Sequence, residues 1–319
     1  MSFAQRFSLV LLAAFFITTF VTSAAGYLFA APVLRAASRR DSSSRAPILA
    51  AYRLLPSIAA LVLTGVVLAP GYFRHEQRGE LEGAGIVLAM LAAGGLCILL
   101  ASVARLCRAA LSAARLRRVW IAEGRAIEMA GAGLPVYAIA SDFPLVAVLG
   151  AFRPRLFVST SVLSACSASE LSAIVEHERR HVSAFDNVVR LAMDAAPDAL
   201  RLTRVPEALA GSWHQAAEHR ADDAAGRRLD LASALVRVSR LAGAPPPVNL
   251  PASALYRGEG IEERVKRLLG PAAPGSIAQP VRRAAAAAAV AIVALVATGS
   301  TARVSEIAHD ILEAIVSLP

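Results

Sequence analysis

The sequence predicts a mostly α-helical membrane protein with about four transmembrane helices and an α+β domain between the third and the fourth. Three observations predict it. Hydrophobic residues make up 56% of the 319, and mean hydropathy is +0.54, which is too apolar for a wholly water-soluble globule. Four apolar runs reach or approach the roughly 20 residues that cross a bilayer. Between the third and fourth runs, residues 108–283 mix charged helical patterns with short β patterns.

The first run is Phe7 to about Leu34. Arg6, the apolar stretch and Ser23-Ala24-Ala25 would also suit a cleaved leader. The run stays apolar well beyond Ala25, so a retained span is expected. The second run is about Leu54 to Tyr72 and the third Gly83 to about Leu106. The fourth, about Ala284 to Gly299, is alanine-rich and the weakest; a buried helix is its alternative. The chain thus divides into 1–107, 108–283 and 284–319.

Net charge is +9, and the only lysine is Lys266. Arg35, Arg39, Arg40, Arg45 and Arg53 follow the first run, and Arg105, Arg108, Arg115, Arg117 and Arg118 follow the third. Arg282 and Arg283 precede the fourth. Arginine-rich loops stay on the cytoplasmic side. The expected protein is therefore multi-pass in a cell inner membrane, with residues 108–283 cytoplasmic. The mildly acidic tail, Ser300 to Pro319, is expected outside. Cys97, Cys107 and Cys166 form no C-x-x-C pair, so neither a structural disulfide nor a cysteine metal site is expected.

The middle stretch opens with a helix over about Arg115 to Glu123. Three β patterns follow: Pro135 to Ile139, Leu145 to Leu149 and Arg155 to Ser159, divided by turn residues. They predict a small antiparallel sheet. Its segment Val146-Ala147-Val148-Leu149 is the candidate edge for pairing with an extended peptide.

Ser167 and Glu170 then form a capping-box signature. Leu171, Ile174, Val175, Val182, Phe185 and Val189 follow at helical spacing, with no proline before Pro197. Inside this run lies His177-Glu178-Arg179-Arg180-His181, an H-E-x-x-H motif. On a helix the two histidines leave one face a turn apart, where two neutral imidazoles can bind one Zn²⁺. Glu178 adjoins the first ligand, where its carboxylate can take a proton from a metal-bound water. The motif alone is weak, since a charged solvated helix can carry it by accident. A catalytic zinc also needs a third protein ligand. Ala184 and Asn187 exclude the three-histidine pattern. Glu218 is the best remaining candidate, on a helix with Gly211-Ser212 as its start signal. Asp222, one turn on, can accept the free N–H of a ligand histidine. His214 and His219 are expected on that helix's surface. A Pro-rich connector, Ala244 to Pro251, and a short amphipathic helix, Ile261 to Leu269, precede the fourth run.

These motifs together resemble the integral-membrane zinc metallopeptidases of the BlaR/MecR type, the beta-lactam sensor-transducers. Three spans, an H-E-x-x-H domain and a fourth span repeat that family's layout over about residues 1–300. The run Gly150 to Ser159 is similar to the family's strand before the active helix. His177 to Asp186 matches its H-E-x-x-H-x-x-x-x-D, Glu218 to Asp222 its E-x-x-x-D, and Glu262-Glu263-Arg264-Val265 a familiar later element. The resemblance implies a zincin-like (gluzincin) domain, with His177, His181 and Glu218 as zinc ligands and Glu178 as catalytic base. It implies supporting roles for Asp186 and Asp222. The beta-lactam receptors carry a penicillin-binding sensor after the fourth span, where this chain has residues 300–319. The resemblance therefore does not extend to antibiotic sensing. The HtpX family shares the same two motifs and is the nearest rival.

The expected activity is peptide-bond hydrolysis in signal transduction, on a repressor or on the chain itself. A peptide substrate and the lipid bilayer are the expected partners, and a homodimer is compatible. No base-reading helix-turn-helix accompanies the positive charge, so direct nucleic-acid binding is not expected. A degenerate signalling scaffold is the non-enzyme alternative, because Arg179 and Arg180 stand between the two ligands. A transporter is disfavoured, because the apolar runs contain no intramembrane charge.

Overall fold

The computed structural model describes residues 2–75, 85–141, 143–242 and 260–271, and scattered positions between 307 and 314. The fourth apolar run and the Pro-rich connector lie outside the described residues, as does nearly all of the tail. The rest is mostly helical, with three long apolar helices and one small mixed sheet.

Helix α1 (Phe3–Leu28) is capped by Ser2, with Gln5 closing the reciprocal bond. It stops at Phe29, short of the expected end, and a second helix, α2 (Ala30–Ser38), takes the remaining apolar residues. Asp41 then caps α3 (Ser42–Val62). This helix runs through a π-helical turn at Leu63–Leu68 into α4 (Ala69–His75), and the candidate membrane span within this rod is Ser42–Arg74. Arg53, expected in a loop, is inside that rod and 2% exposed. The apolar run was legible from Leu54 onward, but the helix begins earlier because Asp41 supplies the N-cap.

Helix α5 (Ile86–Glu123) is 38 residues long. It absorbs the separate helix expected over Arg115 to Glu123 and crosses residue 107 unbroken. No glycine or proline stands between Leu106 and Glu123, and Ala, Leu and Arg favour helix. At about 57 Å α5 is nearly twice the hydrocarbon thickness. Its N-terminal part packs on α1, where a Cβ at Gly95 would overlap the Leu12 carbonyl oxygen. Its C-terminal part lies on the sheet through Leu116, Trp120 and Ile121, with Trp120 edge-on to Phe157 at 5.2 Å.

The sheet has four strands in the order β1-β2-β4-β3. They are β1 (Arg125–Ile127), β2 (Val136–Ile139), β3 (Val146–Leu149) and β4 (Arg155–Ser159). The expectation of an antiparallel sheet is corrected: β2 and β4 are parallel, while β1–β2 and β3–β4 are antiparallel. After β2 the chain goes to the far edge for β3 and returns through a turn at Gly150 (φ 106°), so β4 inserts beside β2 running the same way. Strand β1 had no sequence signal, being three residues with two exposed.

Six further helices complete the described fold: α6 (Thr160–Ala165), α7 (Ala168–Ser183), α8 (Asp186–Ala195), α9 (Val205–Ala224), α10 (Arg228–Leu241) and α11 (Ile261–Leu269). These helices contribute to two of the four buried clusters among the described residues. Ala173, Ile174 and Val175 of α7 pack with the sheet, α10 and α11 around Val146, Leu156, Leu235 and Leu268. Leu209, Trp213, Ala216 and Ala217 of α9 pack instead with Met193 of α8 and with Ala46, Leu49 and Ala50 of α3.

Gly95→Leu drives a branched side chain into the α1 backbone and is expected to cost about 1–3 kcal/mol. A lowered thermal midpoint of the detergent-solubilised chain checks it.

Candidate metal centre

Helix α7 starts where its capping box predicts. The Ser167 side chain accepts the Glu170 N–H at 3.2 Å, and Glu170 Oε2 accepts the Ser167 N–H at 2.7 Å. Ser233 and Arg237 also donate to Glu170, at 2.6 and 3.3 Å, which fixes the start of α7 against α10. The uninterrupted helical run expected as far as Val189 does not form. Helix α7 ends at Ser183, Phe185 adopts a left-handed conformation (φ 56°) and is 66% exposed, and α8 starts at Asp186. This break turns Asp186 back onto His181, five residues earlier, at 2.7 Å from Nδ1.

Helix α9 also departs from expectation. It starts at Val205 with Pro206 in its first turn, so Gly211-Ser212 lies inside it. Proline at a helix start is favoured because the missing N–H has no intrahelical partner there.

The two helices bring together His177, His181 and Glu218. One potential ligand atom from each lies within 4.8 Å of the others. The two Nε2 atoms are 3.2 Å apart. Glu218 lies across them, with Oε2 3.5 Å from His177 Nε2 and Oε1 3.5 Å from His181 Nε2. Behind each ring stands a carboxylate. Asp222 Oδ1 is 3.1 Å from His177 Nδ1, a charge contact bent off the N–H axis, and Asp186 holds His181 Nδ1. A carboxylate at Nδ1 favours the proton there, which leaves both Nε2 lone pairs facing one point. Two lone pairs and a carboxylate at that spacing suit a metal ion between them, and the donor set fits one.

Electrostatics show that the cluster stabilises positive charge at this point, which a proton or a metal ion can supply. Burial opposes charge on His177, but Asp222 and Glu218 outweigh it and raise the ring to about 9. Burial also resists charge on Glu218, yet Arg264 and the two histidines hold its carboxyl well below the usual range. Asp222 is likewise depressed: burial is overcome by Arg264 and His177. Glu178 behaves differently. Its burial dominates and pushes it up to about 7, against the pull of His181 and His177. Its Oε2 is buried without a hydrogen-bond partner.

Arg264 is the residue that sequence reasoning missed. The E-E-R-V stretch was noted, but no role was read for its arginine. It is 6% exposed, and Nε and Nη2 grip Asp222 at 2.9 and 2.6 Å. Nη1 reaches Glu218 Oε2 at 3.0 Å. The only available signal was an arginine on the apolar side of a short amphipathic helix. Arg220 plays the matching part for Asp186, donating to Oδ1.

The remaining expected residues fall as follows. Arg179 donates outward to the Gly131 carbonyl at 2.9 Å and Arg180 to Ser183, so neither enters the cluster. His214 is part-exposed, 4.0 Å from Glu218 Oε1. His219 is corrected: it is buried at 9% and faces Glu263 at 4.0 Å, and burial beside Arg267 lowers its pKa. A cavity of about 890 Å³ opens beside Glu218, His214 and Arg264. Val146 to Leu149 does form a sheet edge, but all four residues are buried. Asn187 Nδ2 donates to the Val148 carbonyl at 3.1 Å, which ties that edge to the residue after Asp186.

Ser167→Ala removes the cap oxygen and is expected to destabilise by about 1 kcal/mol, read as a shift in the denaturation midpoint. Asp186→Ala and Asp222→Ala should each weaken divalent-metal binding by about 10–100-fold, measured by chelator competition. Comparison with protein families, with curated proteins and with solved structures finds no match to this chain.

Proposed function

We propose that the chain is a membrane-embedded zinc metallopeptidase that cleaves a protein or peptide. One observation carries this reading: a buried carboxylate, Glu178, held without a hydrogen-bond partner on the residue next to a two-histidine, one-glutamate cluster. A purely structural metal site has no use for such a group. A general base does, because a carboxylate raised towards neutrality takes and returns protons at working pH. Two nitrogens and one oxygen from the protein suit zinc with one position left open. Zinc, when bound, supplies Lewis-acid polarisation of the scissile carbonyl and lowers the pKa of water.

The chain's own residues would then act in sequence. Asp222 and Asp186 hold the two imidazoles with Nε2 forward. Arg264 keeps the Glu218 carboxylate ionised and in place. Glu178 takes the proton from the attacking water and hands it to the leaving amine. The β3 edge, Val146 to Leu149, would line the extended substrate, which must displace Asn187 from Val148. The cavity on the Glu218 side would seat a substrate side chain.

The wider placement is part of the same proposal. Three candidate membrane helices support a membrane protein, and the arginine distribution supports a cytoplasmic zincin-like domain. The resemblance to the BlaR/MecR type favours a repressor, or the chain itself, as substrate.

Glu178→Gln is expected to retain stoichiometric zinc and to lose cleavage by about 10²–10⁴-fold. The check is metal analysis of purified protein, with proteomic comparison of cells carrying either form. A fragment that appears equally in both would refute the role of Glu178.

A further inference from the structure

The two histidines and Glu218 belong to different packing units. His177 and His181 ride on α7, whose apolar face is in the sheet core. Glu218 rides on α9, whose apolar face is against α3 and α8. Helix α3 also holds α9 by polar contacts on both sides of Glu218: Arg45 donates to Gln215 at 3.1 Å and Ser42 to Asp223 at 2.5 Å.

The last residues of α8 and the segment joining it to α9 are gripped by all three long apolar helices. From α5, Arg105 donates to the carbonyls of Asp194 and Ala196 at 2.8 and 3.1 Å, and Ser102 donates to that of Ala195. From α3, Ser57 donates to the Pro197 carbonyl at 2.6 Å. Asp198 receives the α1 hydroxyl of Tyr27 and lies 3.2 Å from Arg53 Nη2, both charged side chains being 1–2% exposed. An ion pair so buried is costly to leave half-made, so it fixes where this segment sits. None of these groups touches the metal cluster.

We infer that the apolar helices set the separation between Glu218 and the histidine pair, with Arg53–Asp198 as the positioning contact. This rests on the metal reading above. Helix α9 is held from both sides, by α3 and α8 on its apolar face and by Arg264 and Arg267 of α11 at Glu218, Asp222 and Asp223, so a displacement of α3 relative to the sheet strains the three-ligand set. By linkage the effect is reciprocal: an ion held by all three ligands ties the apolar bundle to the sheet core.

The test uses the full chain in lipid nanodiscs, with Co²⁺ affinity by chelator competition and amide hydrogen exchange as readouts. Arg53→Gln and Asp198→Asn are each expected to weaken Co²⁺ binding about tenfold, the scale of other supporting-contact losses at metal sites. Exchange should rise in α8 and α9 while α7 and the sheet stay protected. The double variant, which leaves no unpaired buried charge, should recover part of the loss. Should the charge variants not fold, Ser57→Ala loosens the neighbouring grip of α3 on Pro197 more gently, with an expected two- to threefold loss. Unchanged Co²⁺ affinity in the folded variants overturns the inference, as does loss of protection spread evenly over α7, the sheet and α9. A parent chain holding no stoichiometric Co²⁺ overturns the metal reading instead.

Discussion

Two imidazole nitrogens held face to face at 3.2 Å are the constraint on which the site depends. Left alone, such rings would turn apart or share a proton. Asp222 and Asp186 prevent this by occupying the rear nitrogens, and each of these carboxylates has its own arginine. Arg264 serves Asp222 and Glu218 together, and Arg220 serves Asp186. The arrangement therefore has layers, ligand, carboxylate and guanidinium, that come from α7, α8, α9 and α11. A buried carboxylate without such a partner would take up a proton rather than hold its charge. This explains why α11, a helix of nine residues, is packed firmly at Leu268 and Arg264.

Much of this centre was legible because its information is local. The spacing of His177 and His181 needs only a helix, and the Ser167 and Glu170 cap marks where that helix starts. Asp222 follows from Glu218 by one helical turn. What was not legible depends on chain reversal. The break at Phe185 has no glycine or proline to announce it, since a bulky residue in the left-handed region is uncommon. Arg264 lies over forty residues from its carboxylate partners, and nothing in a nine-residue helix states which of its charges turns inward. The mixed sheet was missed for the same reason: strand patterns give spacing but not order.

The long apolar helices show the opposite balance. Hydropathy located three of them, yet their ends and their polar contacts followed other rules. Helix α5 outlasts its apolar stretch because arginine and alanine are good helix formers. Arg53 reads as a loop cation in a window of composition, and it becomes a buried partner of Asp198 only once α8 and α9 are placed. Membrane-type patterning and tertiary wiring thus overlap where these helices meet α8 and α9. The boundary between the apolar bundle and the layer that carries the metal cluster is a shared surface rather than a linker.

The Asn187 amide on the Val148 carbonyl has a last consequence. An uncovered strand edge invites pairing with any extended chain, including a neighbour's own β3. The Asn187 amide is one stopper among the groups that bury this strand: it helps deny the edge to weak, unregistered strands, and each such hydrogen bond given up costs about 1 kcal/mol. A segment offering several backbone bonds in register outbids it. Selectivity at that edge would then begin with length and extendedness, before any side chain is read.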